Sequence, residues 1–537
     1  MHVDAAGGPQ TFDMATPKGR QEKRERERGD TPAAKRTEAP EAEPREKRRG
    51  PEHASTPQQP AARQKTAAED DGSRATAVGQ AIADAAAPTE QQMVMVLCAL
   101  TEETTPEDEE HDLLEGLSWH EQELDQEQVR EGRREERRRL KHFEVYEEIP
   151  EDTFDGEVVD TKWVQTPKED FVRCRIVGKQ YANERVEDFF AGTPDAVCFK
   201  FFLATLAARP GHAAVVSDAV SAFLQAAAPE GLAVRPPMSE RKPGIIWLLK
   251  KALPGMRSSS RQWQDHQARE FTEAGGFTRH PLEPCVYMLP ERGLWLENHG
   301  DDTLCVGPRA EVIWFSKWMP TRFECNVGPV ISRTSGDAHA GKFLRRPFWV
   351  NADGWHYEAD PRHAEKLLRT GGLEEAKSAV TPGSREVGRG DREDFLKQLG
   401  AKEHREYRQQ AGLLQYLAGD RYDLKFAAKE LMRECSAPTV GSQARLKRAL
   451  RYLCGAPRAI YTYGFDDWTR DGQGREITID VDSDYAGCTE TRRSTSSLVA
   501  RVGPWVLAEQ SVTQPVVALP SSEAEFHAIV RGIAYGI

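Results

Sequence analysis

The amino-acid sequence predicts a mixed α/β fold of several domains, and three observations support that prediction. The chain has 537 residues, which is room for about three domains of roughly 150 residues each. Short runs of alternating apolar residues indicate strands. Other segments carry the start and stop signals of helices. Because large apolar side chains are scarce near the N-terminus, we expect folded structure to begin near residue 128.

The composition of residues 1–88 predicts a disordered low-complexity tail. Their Ala, Pro, Glu, Lys, Arg, Gly and Gln cannot bury enough apolar surface to offset the entropy of ordering. Basic clusters at 18–28 and 45–49 are compatible with a nuclear address, a nucleic-acid arm or a plain solvated tail. The sequence leaves these three interpretations open.

The excess of acidic side chains in residues 89–127 predicts an acidic linker. The formal net charge of the chain is −13, and residues 102–127 hold twelve Asp and Glu side chains without any Lys or Arg. The rest of the chain is therefore close to neutral. A neutral remainder can combine a basic nucleic-acid groove with an acidic metal site.

The predicted elements follow in chain order. In the first half we expect a charged helix at 130–146 and a pair of strands at 161–164 and 171–177. A buried helix at 198–208 and a short strand at 213–216 follow. The second half gives helices and strands at 361–370, 442–453, 477–481, 497–502, 505–507 and from 521. Asp360 as cap, Pro361 at the first position and Gly371 after the end mark the first of these helices.

The sequence disfavours membrane-spanning, disulfide-rich and zinc-binding classes of protein. The apolar stretch 93–100 is far shorter than the roughly 20 residues that span a bilayer, and no signal segment opens the chain. Nine cysteines are scattered singly, without a Cys-x-x-Cys pair. We therefore expect an intracellular protein with no membrane partner.

Three Asp-Asp pairs occur, and such a pair is usually a polar turn. Asp301 and Asp302 differ from the others because they follow Gly300 and lie between the apolar runs 294–296 and 304–306. This pattern predicts an acidic hairpin tip between two strands. Asp218, where the 213–216 strand ends, is the candidate third carboxylate. Such a set is what two divalent cations need for in-line phosphoryl transfer.

Six segments, taken in order, resemble the reverse transcriptase of copia-type LTR retrotransposons. They are 162–164, 173–177, 218–224, 253–257 with Arg261 and Trp263, 283–287 and 300–302. The resemblance continues through 407–417, 420–423 and 451–455 into an RNase H segment at 482–487, 493–496 and 522–526. It covers about three quarters of the chain, from near residue 128 to the end.

The resemblance implies a two-metal polymerase site. Asp218, Asp301 and Asp302 would hold two Mg²⁺ ions, or Mn²⁺ in their place, at a primer 3′-hydroxyl and an incoming triphosphate. Phe223 matches the family's aromatic gate, where a ring under the sugar would clash with a 2′-hydroxyl. A core phenylalanine beside Leu224 is the alternative interpretation.

The resemblance also implies substrate-binding residues. Arg173, Arg175 and Lys179 match the family's basic segment that neutralises the triphosphate, and the choice between the two arginines stays open. Arg257 lies in the segment that contacts the template nucleotide. A solvated strand charge is the alternative for the residues of the basic segment.

A second metal site is implied in the RNase H segment. Asp482 and Glu525 match carboxylates that hold two metal ions for phosphodiester hydrolysis. Two alternatives compete with this assignment: a polar turn at 482–484, and a capping box formed by Ser522 and Glu525.

The sequence departs from the family's pattern in three places. Residues 297–300 are polar where the family has an apolar strand, so we expect a weakened strand. Residues 258–260 are three serines in place of Gln-Ala-Pro, which puts the template contact in doubt. The chain ends at Ile537, before the strand that would bring another RNase H carboxylate, so we expect an incomplete domain.

The resemblance therefore implies a right-hand polymerase fold. We expect fingers and a palm with an antiparallel palm sheet at 128–345, a helical thumb or connection at 346–470, and a truncated RNase H-like mixed sheet at 471–537. The expected activity is RNA-directed DNA polymerisation from dNTPs on an RNA template with a DNA primer, or on an RNA–DNA hybrid, without efficient RNase H cleavage. The alternative is a degenerate, non-catalytic remnant that at most binds nucleic acid. The implied location is a cytoplasmic retroelement particle, and nuclear entry, template preference and oligomeric state stay open.

Overall fold

The structure is a mixed α/β fold with several antiparallel sheets, as the sequence predicts. The computed structural model describes residues 124–168, 170–181, 191–383, 392–466, 476–488 and 490–536. The tail predicted at 1–88 and most of the linker predicted at 89–127 lie outside the described residues. Among the helices that are described, none is long and apolar enough to cross a membrane.

The predicted helices are present, with ends that differ by a few residues. The helices are α1 (Gln126–His142), α2 (Ala196–Ala208), α3 (Ala222–Gln225), α4 (Ser259–Arg269), α5 (Arg309–Trp318), α6 (Pro361–Gly371), α7 (Arg392–Leu396), α8 (Ala401–Leu417), α9 (Lys425–Met432), α10 (Val440–Gly455) and α11 (Ser521–Gly536). Helix α1 ends before Tyr146 because Glu144 adopts a left-handed φ of 50° and the Val145 N–H bonds back to the Leu140 carbonyl. Helix α6 has the predicted N-cap, Asp360, but Gly371 is its last residue and Gly372 is the C-cap.

The strands are β1 (Tyr146–Pro150), β2 (Glu157–Pro167), β3 (Val172–Gly178), β4 (His212–Ala219), β5 (Leu232–Arg235), β6 (Ile245–Leu249), β7 (Thr278–Arg279), β8 (Val286–Leu289), β9 (Leu294–His299), β10 (Asp302–Pro308), β11 (Cys325–Val327), β12 (Ala340–Phe343), β13 (Arg346–Val350), β14 (Gly354–Glu358), β15 (Ile460–Gly464), β16 (Ile477–Asp484), β17 (Thr495–Val502) and β18 (Trp505–Thr513). They form four sheets. The first sheet has the order β1-β6-β5-β2-β3, the central sheet β11-β4-β10-β9-β8-β7, the third sheet β12-β13-β14-β15 and the C-terminal sheet β16-β17-β18. Only the β2–β5 pair is parallel among the described strands.

Helix α1 covers β3, the edge strand of the first sheet. Gly132 lets the helix approach closely, because a Cβ at that position would collide with the Val172 carbonyl. Glu136 is buried on the same side, and its Oε1 accepts a hydrogen bond from the Ile176 N–H at 3.2 Å. Burial raises the pKa of Glu136, and the bond to Ile176 opposes that shift. Helix α1 therefore covers the edge strand β3, and its buried Glu136 carboxylate accepts a hydrogen bond from a backbone N–H of that strand.

Helix α2 connects three of the sheets. It is apolar around its circumference, and Phe199, Phe202 and Leu203 lie in one core cluster with side chains of the central, third and C-terminal sheets. The ring of Phe199, for example, is 5.3 Å from that of Tyr357 on β14. This shared core explains why α2 has no polar face.

Helices α6, α8, α9 and α10 form a helical cluster with its own core. Arg421, which is 1% exposed, pairs with Asp423 and donates to the Ala456 and Pro457 carbonyls at 2.8 and 3.0 Å. A buried guanidinium is tolerated only when its donors are satisfied. These bonds therefore fix the connection between α8 and α9 against the end of α10.

The C-terminal sheet is covered on both faces. Helix α11 packs on the face that carries Ile479 and Val481 of β16, where Gly532 allows close contact. On the opposite face, Lys200 of α2 pairs with Glu509 at 2.7 Å, and Lys429 of α9 bonds to Thr495 and Thr513. Val197 of α2 packs on the α11 face. The predicted boundary between 345 and 346 falls inside the hairpin of β12 and β13, and the one between 470 and 471 lies outside the described residues.

The polar run at 297–300 does not interrupt its strand, contrary to the sequence expectation. Strand β9 continues to His299, and the buried Asn298 amide exchanges hydrogen bonds with Gln267 and accepts one from Thr303 at 2.8 Å. Glu297 differs, since it is 1% exposed and its Oε2 has no hydrogen-bond partner among the described residues. Burial raises the pKa of Glu297 to about 8.

We expect Glu297→Gln to stabilise the protein in a pH-dependent way. A carboxyl whose pKa is raised in the folded state contributes full stability below its unfolded pKa, near 4.5, and loses that contribution as pH rises toward 8. The variant should therefore gain up to about 5 kcal/mol over the wild type at pH 8 and little at pH 4.5. Urea unfolding at both pH values measures this difference. The exposed Glu291→Gln is the control, and an equal effect of Glu297→Gln at both pH values would contradict the assignment.

Candidate active site

The candidate site is built on the hairpin of β9 and β10. The two strands are joined by a two-residue turn, Gly300 and Asp301, between the paired residues His299 and Asp302. Gly300 has a φ of 59°, whereas Asp301 is not left-handed, which is the pattern of a type II′ turn with its glycine at the first central position. The turn predicted from the Gly-Asp-Asp sequence is therefore present.

Strand pairing brings the predicted carboxylates together. Strand β10 also pairs with β4, and in that register Asp302 lies directly opposite Asp218. Opposed residues of an antiparallel pair have Cβ atoms about 4.5–5.5 Å apart. The Asp301 carbonyl accepts a hydrogen bond from the Ala219 N–H at 2.9 Å, which holds the turn against the end of β4.

Trp263 of α4 anchors the turn by a hydrogen bond. Its buried indole Nε1 donates to the Gly300 carbonyl at 2.8 Å. The ring lies in the same core cluster as Leu296 and Cys305 of the hairpin strands. The turn therefore has one anchor on a neighbouring strand and one on a helix.

The electrostatics of the site link the carboxylates to the arginines of β3. Asp301 is exposed at the turn, yet the surrounding protein still keeps bulk water from part of its carboxylate, and this desolvation is the largest cause that raises its pKa. The negative charge of Asp218 raises the pKa further, and Arg175 and Arg173 lower it. Asp301 is therefore within electrostatic reach of all three side chains.

Hard divalent cations suit this donor set, because carboxylate oxygens are the ligands that Mg²⁺ and Mn²⁺ prefer. A cation would also relieve the repulsion that raises the pKa of Asp301. In the part of the chain that the structure describes, no three acidic, histidine or cysteine side chains converge closely enough to hold a metal ion as they stand. Asp218, Asp301 and Asp302 would therefore have to turn toward a common ion.

The arginines of β3 share one face of the strand. Arg173 and Arg175 are two residues apart and partly exposed, whereas Cys174 and Ile176 point the other way and are buried. Lys179 follows the strand and is exposed. Its backbone N–H donates to the Asp160 carbonyl at 2.8 Å. The sequence-predicted basic segment therefore presents its charges together.

The end of β3 is joined to the loop before α4. The Gly178 N–H donates to the Pro254 carbonyl at 2.8 Å, and the Arg257 N–H donates to Gln180 Oε1 at 2.9 Å. Gly255 has a φ of 79°, and a Cβ there would collide with the Gly178 backbone. Two glycines thus allow the loop that carries Arg257 to pack against β3, which is called the arginine strand below.

Phe223 lies mostly in the core. Its side chain is 8% exposed and belongs to the core cluster that contains Trp263, whereas Leu224 belongs to the core of the first sheet. The gate interpretation therefore stays a prediction, and only a small part of the ring is open to a ligand.

The structure does not bring Asp482 and Glu525 together. Ile479 and Val481 contact α11, so Asp482 points from the opposite face of β16, toward the side occupied by α2 and α9. Glu525 is exposed on α11. At the start of α11, Glu523 and not Glu525 accepts a hydrogen bond from a preceding backbone N–H, that of Leu519 at 2.8 Å.

Sequence reasoning missed the role of Trp263, although it quoted that residue as part of a motif. Its partner is 37 residues away in the sequence. The only available signal is general: a buried tryptophan needs an acceptor for its indole N–H. The pairing of Gln267 with Asn298 was missed for the same reason.

We expect Trp263→Phe to loosen the turn. The variant removes the donor to the partly buried Gly300 carbonyl, and losing one hydrogen bond costs about 0.5–1.5 kcal/mol. Urea unfolding measures the loss, and hydrogen exchange at the Ala219 N–H should become faster while exchange at the Gly354 N–H of the third sheet stays unchanged. A stability within about 0.5 kcal/mol of the wild type, with unchanged exchange at Ala219, would contradict the role of this bond.

Sequence comparisons show that the chain is similar to retroelement Pol polyproteins. No family model matches the chain. The chain is 26% identical over 323 residues to the retrovirus-related Pol polyprotein from transposon RE2 of Arabidopsis thaliana, covering 58% of this chain and 20% of that protein. It is 24% identical over 385 residues to the retrovirus-related Pol polyprotein from transposon TNT 1-94 of Nicotiana tabacum, covering 68% and 28%. The chain thus spans less than a third of the length of these Pol polyproteins.

Two further similarities were found. A 124-residue stretch is 35% identical to secreted RxLR effector protein 161 of Plasmopara viticola, covering 23% of this chain and 83% of that protein. A solved structure of a foamy viral protease-reverse transcriptase in complex with double-stranded DNA matches 74% of this chain and 58% of its own, with a TM-score of 0.43 and 10% sequence identity. A likeness at that level does not assign a fold by itself.

Proposed function

Since this chain is a homologue of the Pol polyproteins of copia-type retrotransposons, we propose that it is an RNA-directed DNA polymerase. The observation that carries the proposal is the strand register that sets Asp218 opposite Asp302, with Asp301 in the adjoining turn. The central sheet would be the palm and the first sheet the fingers. The third sheet and the helical cluster would be the thumb or connection, and the C-terminal sheet the RNase H-like part.

The three aspartates would hold two Mg²⁺ or Mn²⁺ ions, which activate a primer 3′-hydroxyl and neutralise the triphosphate when bound. The backbones of Asp218 and Asp302 are fixed opposite each other by strand pairing, and their carboxylates would turn toward the ions. Asp301 brings a third carboxylate from the turn, and a bound cation would relieve the repulsion by Asp218 that helps to raise its pKa. A dNTP and a primer on an RNA template, or an RNA–DNA hybrid, are the proposed substrates.

The arginines of β3 support a triphosphate bound next to the three aspartates. Arg173 and Arg175 lie close enough to Asp301 to lower its pKa, so a triphosphate between them and the aspartates would meet positive charge on the β3 side. Lys179 and Arg257 extend that charge along the same end of the strand. Phe223 is the proposed contact to the sugar.

Two observations support a working polymerase over the alternative of a non-catalytic remnant. Gly300 forms a regular turn with both anchors in place, and the unusual serines are accommodated: Ser259 is buried and its Oγ donates to the Leu253 carbonyl at 2.6 Å. By contrast, Asp482 points from the face of β16 that is turned away from α11, whereas Glu525 is exposed on α11. We propose no RNase H cleavage for this arrangement.

We expect Asp301→Asn to abolish DNA synthesis while leaving hybrid binding intact. The substitution removes a metal ligand and no phosphate contact, and several kcal/mol of lost charge stabilisation correspond to a roughly 10²- to 10⁴-fold slower reaction. Primer extension on poly(rA)·oligo(dT) with Mg²⁺ by the full chain measures the rate. Binding of the same hybrid in EDTA measures affinity.

Asp353→Asn is the matched control, because Asp353 is an exposed aspartate in the turn between β13 and β14. It should extend primers like the wild type. Wild-type rates in Asp301→Asn would place the active site elsewhere, and absence of extension by the wild type would favour the remnant.

We expect Phe223→Ala to admit ribonucleotides. If the ring lies under the sugar, its removal relieves the clash with a 2′-hydroxyl and raises rNTP incorporation while dNTP use is largely kept. Because Phe223 is also buried, the variant should lose up to about 3–5 kcal/mol of stability, which thermal unfolding records. Leu224→Ala makes a comparable cavity in the core of the first sheet and should leave rNTP rejection unchanged. Unchanged rejection in Phe223→Ala would leave Phe223 as a core residue.

A further inference from the structure

Strand pairing sets four polar side chains in one row across the central sheet. Asn326 of β11 is opposite Asp218 of β4. Asp218 is opposite Asp302 of β10, which is in turn opposite His299 of β9. Side chains of directly opposed residues point to the same face of a sheet. The order along this polar row is therefore Asn326, Asp218, Asp302 and His299.

The polar row lies where the apolar core of this face ends. Two residues inward along β4 and β10, Val216 and Leu304 pack in the core cluster that contains α2. By contrast, the side chains of the row itself are exposed or half-buried. An ion from solvent can therefore reach the row, and His299 lies at one end of it beside Asp302.

His299 brings a different donor atom to the site. The Cβ atoms of opposed residues are about 4.5–5.5 Å apart, so Asp302 has Asp218 on one side and His299 on the other within that range. Carboxylate and carboxamide oxygens are hard donors, whereas an imidazole nitrogen is a softer ligand that suits transition metals. Like the aspartates, His299 would have to turn toward the ion, since no cluster of the described residues is closed around one as it stands.

Mg²⁺ and Mn²⁺ respond differently to a nitrogen ligand. Mg²⁺ demands oxygen ligands in near-ideal octahedral geometry and gives up its waters reluctantly, so an imidazole adds little to its binding. Mn²⁺ accepts carboxylate oxygens equally well and, as a first-row transition metal, also binds imidazole. A set of carboxylates with one imidazole therefore favours Mn²⁺.

We propose that His299 is a ligand of the metal ion that Asp302 holds, and that it makes the site select Mn²⁺ over Mg²⁺. This rests on the proposed function for the aspartates, and it adds a ligand and a metal preference. The competing role for His299 is a hydrogen bond that orients the Asp302 carboxylate from outside the ligand shell. Such a bond would change the affinity for both cations alike.

The first test looks for the nitrogen ligand directly, with the full chain and one equivalent of Mn²⁺ alone. A coordinated imidazole nitrogen couples to the electron spin of Mn²⁺, and electron spin echo envelope modulation records that coupling. The wild type should show it, and the frequencies should change when the protein is made with ¹⁵N-labelled histidine, which requires no variant. His299→Gln should lose the coupling, and so should Asp218→Asn.

The second test compares affinities for the two cations by calorimetric titration. His299→Gln should weaken Mn²⁺ binding at least about tenfold, since even the loss of an outer-shell partner costs that much. Mg²⁺ binding should change by less than about twofold, because the amide oxygen of Gln is a hard donor. Heat that persists in Asp218→Asn belongs to other acidic segments, such as residues 102–127, and is subtracted.

Two variants serve as controls. His404→Gln is the matched histidine, because His404 is half-buried on α8 with its Nε2 2.9 Å from the Cys435 carbonyl oxygen. It should keep the nitrogen coupling and both affinities. Asn326→Ala removes an oxygen donor from the other end of the polar row, so it should leave the ratio of Mn²⁺ to Mg²⁺ affinity unchanged.

Three results would each overturn the role of His299 as a ligand. They are absence of nitrogen coupling in the wild type, coupling of unchanged strength in His299→Gln, and equal losses of Mn²⁺ and Mg²⁺ affinity in that variant. A change of the affinity ratio in Asn326→Ala as large as in His299→Gln would overturn its role in selectivity. If Asp218→Asn bound both cations like the wild type, the aspartate site itself and the proposed polymerase would fall. Loss of binding in Asp218→Asn without any effect of His299→Gln would remove only this inference.

Discussion

The antiparallel register between β4 and β10 is the constraint on which the candidate active site depends. It runs without a shift from His212 opposite Pro308 to Asp218 opposite Asp302. Because side chains alternate along a strand, a slip by one residue would turn Asp218 to the other face and separate the carboxylates. The register is protected by the apolar residues between its ends, and the bonds from Ala219 and Trp263 then fix the turn that carries Asp301.

A continuous set of contacts relates the arginine strand to this hairpin. Gly178 docks on Gly255, the loop from Gly255 leads into α4, and Trp263 of α4 reaches the Gly300 carbonyl. The positions of cationic and anionic side chains therefore depend on one another through packed backbone. The site also carries a cost, because desolvation and the charge of Asp218 both raise the pKa of Asp301. Such unfavourable charge arrangements are typical of sites that bind cations.

Local patterns in the sequence predicted much of this arrangement, and long-range bonds explain what they missed. The Gly-Asp-Asp turn and the cap at Asp360 were predictable because each depends on neighbouring residues. The bond from Trp263 and the covering of β3 by Glu136 were not, since partners 37 and 40 residues apart leave no periodic signal. The separation of Asp482 from α11 was readable in principle. Ile479 and Val481 alternate with Asp482 along β16, and the apolar positions of a strand face the helix that packs on it.

The most direct test of the central claim locates the metal with iron-mediated cleavage. Fe²⁺ bound in place of Mg²⁺ generates hydroxyl radicals with ascorbate and peroxide, and these cut the backbone next to the ion. If the β4–β10 register builds the metal site, cuts in the full chain should fall together near Asp218 and near Gly300–Asp302, and excess Mg²⁺ should suppress both. Cuts near only one of these segments, or cuts confined to the region of Asp482, would contradict the account.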